Sequence, residues 1–270
     1  MASRSALQPL LLLPGARSTA PAVSPRVRHA LAGLLCTRAA LFRAQLPALA
    51  SACVLLEADM TVADSMAGLA AVILRTAPPR FSIVGMSMGG YLALELLAQA
   101  PARVSRLALL STNAIADAPA ASAARRAALA RSAAGPAAFA GLLAELVDGW
   151  VGPRGGEAAL AGLRAEVLAM ASGAGTAAFA MQQAAIMGRA DRHGALRAYA
   201  GPVLVLHGEG DRVTGGLGPA RTMVAAASEA RGAPVSFVTV PDCGHMTPLE
   251  APDIVTAALM EWLRTPALEL

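Results

Sequence analysis

Four histidines and one glycine-framed serine narrow the search for chemistry in this chain of 270 residues. The serine is Ser87, within Phe81-Ser-Ile-Val-Gly-Met-Ser-Met-Gly-Gly-Tyr91, where Gly85 and Gly89 flank it at two-residue spacing. The motif follows a short apolar run and opens a helical pattern. A strand that turns abruptly into a helix lifts such a serine to the tip of a strained turn. Flanking glycines remove the Cβ atoms that would collide there. The first N–H groups of the helix lack intrahelical acceptors and can stabilise an oxyanion. A serine hydroxyl is a weak nucleophile near neutral pH, so the site needs a base and an acid to orient that base.

The histidines are unequal candidates. His29 lies in an arginine-bearing N-terminal stretch, and His193 lies in a polar loop. His207 closes an apolar run and reads as a packed strand-end residue. His245, in Pro241-Asp-Cys-Gly-His-Met246, sits between the last apolar run and the last helical pattern. From there it can reach the serine, and it is the expected base. The orienting acid is Asp211 or Glu209, both in Leu206-His-Gly-Glu-Gly-Asp-Arg-Val213. Asp242 is too near His245 in sequence to be the obvious partner. A serine, an acid and a histidine at successive strand ends, in that order, match the chain order expected for one fold of hydrolase.

Such residues must be held by a sheet. Apolar runs at Leu10–Leu13, Cys53–Leu56, Phe81–Val84, Val104–Leu110, Val203–Leu206 and Val235–Val240 read as strands. Helical patterns at Val62–Arg75, Met88–Ala100, Pro219–Arg231 and Ala251–Leu263 separate them. Buried runs alternating with helices predict an α/β fold: a mainly parallel sheet of about six strands with helices on both faces. The rhythm breaks between Ser111 and Gly201, where Ala-rich helical sequence carries no strand. A structureless loop of that length is implausible, so residues 112–201 are expected to form a helical cap inserted in one domain spanning 1–270.

Composition excludes several classes. The chain holds 66 alanines and no lysine, so all 22 basic residues are arginines. A net charge of +4 comes from scattered arginines, with no basic helix and no aromatic–basic interleaving, so no nucleic-acid partner is expected. No apolar run approaches the ~20 residues that span a bilayer, and no membrane association is expected. Cys36, Cys53 and Cys243 form no metal spacing, so no metal is expected, and their odd number fits a reducing compartment. A cytoplasmic location is the expectation, and the oligomeric state is open. The first 56 residues carry six arginines and no acid, as targeting peptides do. The apolar part of that start is short and broken by Pro9 and Pro14, and Leu10–Leu13 reads better as a strand.

These residues resemble the α/β-hydrolase superfamily along nearly the whole chain. GMSMGGYLALELLAQAPARVSRLALLST is similar to its nucleophile elbow, following helix and next strand. VLVLHGEGD and DCGHMTPLEAPDIVTAALMEWL are similar to its acid loop and its terminal histidine loop with helix. Within the superfamily, the chain is similar to small bacterial hydrolases of the pimeloyl-[acyl-carrier protein] methyl ester carboxylesterase type. The resemblance implies ester hydrolysis of a small-molecule substrate without cofactor, with Ser87 as nucleophile, Asp211 as acid and His245 as base. Thioesterases, C–C bond hydrolases, perhydrolases and acyltransferases share the superfamily, and a catalytically silent binding protein is a further alternative.

The resemblance also implies two oxyanion donors: the N–H of Met88, and one from the loop after the first strand. Leu13-Pro-Gly15 and Leu34-Leu-Cys36 both match that loop's pattern, separated by the 18 extra residues Ala16 to Gly33. Phe42 and Gln45 follow as the pattern expects. The second donor is therefore Ala16, with Leu34 as its rival. Met86, Met88, Phe139, Trp150 and Phe179 are expected to wall the cleft, favouring an apolar acyl or alcohol group.

Overall fold

In the computed structural model, residues 8–13, 38–230 and 232–267 are described, without the side chains of Arg38, Ala39 and Glu57. Six strands form one parallel sheet in the order β2-β1-β3-β4-β5-β6. They are β1 (Gln8–Leu13), β2 (Cys53–Glu57), β3 (Phe81–Met86), β4 (Val104–Leu110), β5 (Val203–Gly208) and β6 (Val235–Val240). Each apolar run of the sequence is a strand. β3 and β5 run two residues further than expected, to Met86 and Gly208, and these added residues carry the chain to Ser87 and toward Asp211.

The sheet is buried on both faces because its strands are apolar at both parities, as interior parallel strands are. Leu11, Leu13, Ile83, Leu107, Leu109, Val203 and Val205 turn to one core. Leu10, Leu12, Val84, Met86, Ala108, Leu110, Leu204 and Leu206 turn to the other. Helices α3 (Met66–Thr76), α4 (Met88–Gln99) and α10 (Leu217–Ser228), with the short α9 (His193–Ala198), cover the first face. Helices α2 (Leu46–Ala52) and α12 (Pro252–Arg264), with the single turn α1 (Arg38–Leu41), cover the second. The helix read from Val62 begins later, at Met66, because Ser65 caps it by accepting from the Gly68 N–H at 3.2 Å. Upstream, the Asp59 carboxylate binds Thr61 N at 2.8 Å and stabilises a turn in place of the first helical residues.

Between β4 and β5 lie α5 (Pro119–Ala133), α6 (Pro136–Asp148), α7 (Gly156–Gly173), α8 (Gly175–Met187) and α9. Among the described residues of this segment no strand occurs. Phe139 and Phe179 pack against each other there, with ring centroids 5.6 Å apart, in a small core of their own beside Leu142 and Leu143. The single-turn helix α11 (Thr247–Glu250) links the histidine loop to α12. No helix among the described residues is long and apolar enough to cross a membrane.

Leu12 is fully buried, and β1 lies between β2 and β3. Leu12→Ala should therefore cost about 3 kcal/mol of stability in a urea titration. An unchanged midpoint would mean that this N-terminal run is not an interior strand.

Candidate active site

Ser87 stands at the junction of β3 and α4 with φ 55° and ψ −118°. An L-residue adopts this conformation only under constraint. Here the constraint is a set of close backbone approaches. A Cβ on Gly85 would collide with the Gly89 carbonyl, and one on Gly90 would collide with the Thr112 side chain. Ser87 N donates to Leu110 O at 3.0 Å, and Thr112 Oγ1 donates to Ser87 O at 2.8 Å. The need for glycine at position 90, beyond the Gly85-x-Ser87-x-Gly89 pattern, was not read from the sequence. The double glycine was its visible trace.

The structure brings the three residues singled out from the sequence into one hydrogen-bonded line. His245 Nε2 lies 2.9 Å from Ser87 Oγ, and His245 Nδ1 lies 2.9 Å from Asp211 Oδ2. In the tautomer that carries its proton on Nδ1, His245 can accept a hydrogen bond from Ser87 Oγ–H at Nε2 and donate Nδ1–H to the carboxylate. Asp211 is buried at 3% exposure, whereas Glu209 is exposed. Asp211 Oδ1 also accepts from Val213 N at 2.8 Å and Thr214 N at 3.2 Å, and Oδ2 accepts from Thr214 Oγ1 at 2.7 Å. Burial alone would raise the Asp211 pKa. Attraction to His245 and hydrogen bonds from His207 and His245 outweigh it and hold the carboxyl far below the usual carboxylate range. The site thus favours Asp211 as the carboxylate.

Two further groups were missed by sequence reasoning. His207 is buried, as a packed strand-end residue should be, but its Nε2 also lies 3.2 Å from Asp211 Oδ2 and 3.2 Å from Thr214 Oγ1. Glu250 organises the histidine loop. Its Oε2 accepts from Gly152 N and Gly244 N, and its Oε1 from Met246 N, all at 2.8 Å. His245 N donates to Trp150 O at 2.7 Å. The loop bearing His245 is thus tied to the segment that follows α6. The only sequence signal was a carboxylate five residues after the histidine. Gln45 adds a brace: its Nε2 donates to Pro248 O and Pro252 O at 3.1 and 3.2 Å.

A cavity of about 420 Å³ opens above Ser87 and His245. Met86 and Trp150 line it, as expected, with Leu41, Tyr91, Leu146 and Met170. Phe139 and Phe179 do not. They face each other inside the helical segment, because α6 and α8 bury their aromatic positions together. Met88 is not part of the wall either; its side chain is fully buried beneath the sheet's first face. Its N–H lies in the first turn of α4, where no intrahelical acceptor exists. Ala16 and Leu34, the alternatives for a second donor, lie outside the described residues. Among the described residues no group of three or more metal-ligating side chains gathers.

The model of the alpha/beta hydrolase family matches residues 10–258. The chain belongs to that family. No curated protein sequence matches it. Among solved structures of the same fold, a malate-bound thermophilic esterase from Thermogutta terrifontis is 24% identical, covering 95% of this chain and 89% of its own, with a TM-score of 0.71. An enol-lactonase from Burkholderia xenovorans is 17% identical over 97% and 93% of the two chains, with a TM-score of 0.72. The 2-hydroxy-6-oxo-6-phenylhexa-2,4-dienoate hydrolase of a Rhodococcus strain is 21% identical over 96% and 91%, with a TM-score of 0.65. These likenesses extend to the alpha/beta hydrolase fold, which the six-stranded sheet and flanking helices also display.

Glu250→Gln would turn one amide NH₂ toward a backbone N–H and forfeit a charge-assisted acceptor. It should cost about 2 kcal/mol of stability in a urea titration. An unchanged midpoint would show that the carboxylate does not hold the loop.

Proposed function

We propose that the protein is a serine esterase that cleaves carboxylic esters of small or medium substrates with an apolar acyl or alcohol group, through an acyl-enzyme. The observation that carries this reading is the continuous chain from Ser87 Oγ through His245 to Asp211, with both contacts at 2.9 Å. Ser87 Oγ attacks the ester carbonyl as His245 Nε2 takes its proton. Asp211 keeps Nδ1–H fixed and stabilises the imidazolium. The Met88 N–H receives the developing oxyanion, an interaction worth roughly 3 kcal/mol of barrier. His245 then returns the proton to the leaving alcohol. Water attacks the acyl-serine with His245 again as base, restoring the free hydroxyl and releasing the acid.

The helical segment 112–201 acts in this reading as a cap that shapes the cavity, as its lining residues in α5, α6, α7 and α8 suggest. A small bacterial carboxylesterase of the pimeloyl-[acyl-carrier protein] methyl ester carboxylesterase type is the narrower form of the proposal. The other superfamily chemistries need a different acyl acceptor or bond type, and nothing in the cavity favours one of them.

A panel of 4-nitrophenyl, methyl and thioesters tests the reaction class. The wild type should turn over the oxygen esters, and Ser87→Ala should abolish that turnover while keeping the thermal midpoint. Substantial residual activity would mean another nucleophile. Asp211→Asn should lower kcat by roughly 10⁴, and Glu209→Gln should change it little. The reverse ranking would mean that the wrong carboxylate orients the base.

A further inference from the structure

The cavity above Ser87 is apolar over most of its wall, yet helix α5 sends one arginine into it, Arg125. Its position is fixed. Arg125 Nη1 donates to Gln183 Oε1 at 2.9 Å, and Nε lies 3.3 Å from Asp117 Oδ2. Asp117 does not need it. The carboxylate already accepts from Arg189 Nη1 at 2.6 Å and from Ser122 Oγ at 2.7 Å. Arg189 is the deeply buried partner of that carboxylate. It also donates to Ile115 O and Ile186 O and lies over the Tyr91 ring, 4.2 Å from its centroid.

One carboxylate therefore stands between two guanidiniums, leaving one positive charge in excess in the cavity wall. Arg125 holds the longer contact, is 24% exposed, and is the one of the two that lines the cavity. A guanidinium has five donors, and among the described residues Arg125 commits only Nε and one on Nη1. The rest of the wall adds no compensating negative charge. Both oxygens of Glu145, a lining residue, accept from Arg131 at 2.7 and 2.8 Å. The other arginine of the lining, Arg212, is exposed, so solvent screens its charge.

We infer that Arg125 is a specificity residue for an anionic group, and that the preferred substrates are half-esters of dicarboxylic acids. The scissile ester sits at Ser87, an apolar chain lies along the cavity, and the free carboxylate at the far end pairs with the Arg125 fork. This inference rests on the reading of Ser87 as nucleophile. A planar guanidinium held at Nε and at one hydrogen of Nη1 keeps both Nη2 donors free for a carboxylate, and such a charge-assisted pair is strong and geometrically selective in a largely apolar wall. It also supplies the counter-charge that the cavity wall lacks. A neutral ester of equal length would fill the apolar wall and leave the charge unpaired.

Two measurements separate this inference from the esterase reading. The first compares 4-nitrophenyl half-esters of dicarboxylic acids, from succinate to suberate, with the neutral 4-nitrophenyl esters of equal chain length. At its preferred length the wild type should favour the half-ester by about tenfold or more in kcat/KM. Arg125→Met should lower the ratio of half-ester to neutral ester by about 30-fold, and Arg125→Lys should restore part of it. Equal losses on both substrates, or no preference in the wild type at any length, would overturn the proposal. The second measures calorimetric binding of methyl half-esters and neutral methyl esters to Ser87→Ala, with and without Arg125→Met. Tighter binding of the half-ester that depends on Arg125, in a protein whose wild type hydrolyses no ester, would keep the anion site and refute the esterase reading. Equal affinity for the two ligands would refute the anion site whatever the chemistry.

Discussion

The backbone of Ser87, held at φ 55° and ψ −118°, is the constraint from which the rest of the site follows. A relaxed residue there would continue β3 or enter α4 smoothly, and its side chain would join the buried wall. The strained turn instead leaves the hydroxyl as the partly exposed point of a junction whose immediate neighbours are buried. Such a conformation costs on the order of 1–3 kcal/mol. The surrounding structure offsets it: β3 is buried along its whole length, α4 is buried from Met88 to Leu97, and the Leu110 and Thr112 contacts pin both sides of the serine. Gly85 and Gly90 allow the close approaches that make this possible.

The opposing half of the site depends on a different kind of support. His245 sits on a loop, and a loop holds a side chain in place only if its own backbone is satisfied. Glu250 supplies that with three backbone N–H bonds, two of them from the loop itself and one from Gly152. Close packing of Gly244 between Gly208 and Gly152 sets the loop against the end of β5. Because Trp150 O receives the His245 N–H, His245 and the helical segment over the cavity share one hydrogen-bonded frame. Movement of that segment would move His245. On the far side, His207 and Thr214 hold Asp211 as His245 does, so its carboxylate is fixed from two directions.

Much of this was legible in the sequence, for physical reasons. Interior parallel strands are apolar at both parities, and Leu10–Leu13, Val104–Leu110 and Val203–Leu206 announce themselves by that alone. Gly85-x-Ser87-x-Gly89 records a steric demand of the backbone, so it survives as a local pattern. His245 and Asp211 follow strand ends, where a parallel sheet opens its cleft. What was not legible depends on which surfaces meet. Phe139 and Phe179 sit at helical positions that a sequence shows to be apolar, but only the packing of α6 on α8 decides that they face each other and not the cavity. Glu250 and His207 act through contacts with distant backbone and side chains, which leave no spacing rule behind. Arg125 looked like one more scattered arginine until α5 placed it beside Asp117 and Gln183.

If His245 activates Ser87, a fluorophosphonate probe, read by intact-mass measurement and peptide mapping, should leave one adduct, on Ser87, absent from Ser87→Ala and formed far more slowly in His245→Ala. An unlabelled wild-type protein, or an adduct at another residue, would contradict that activation.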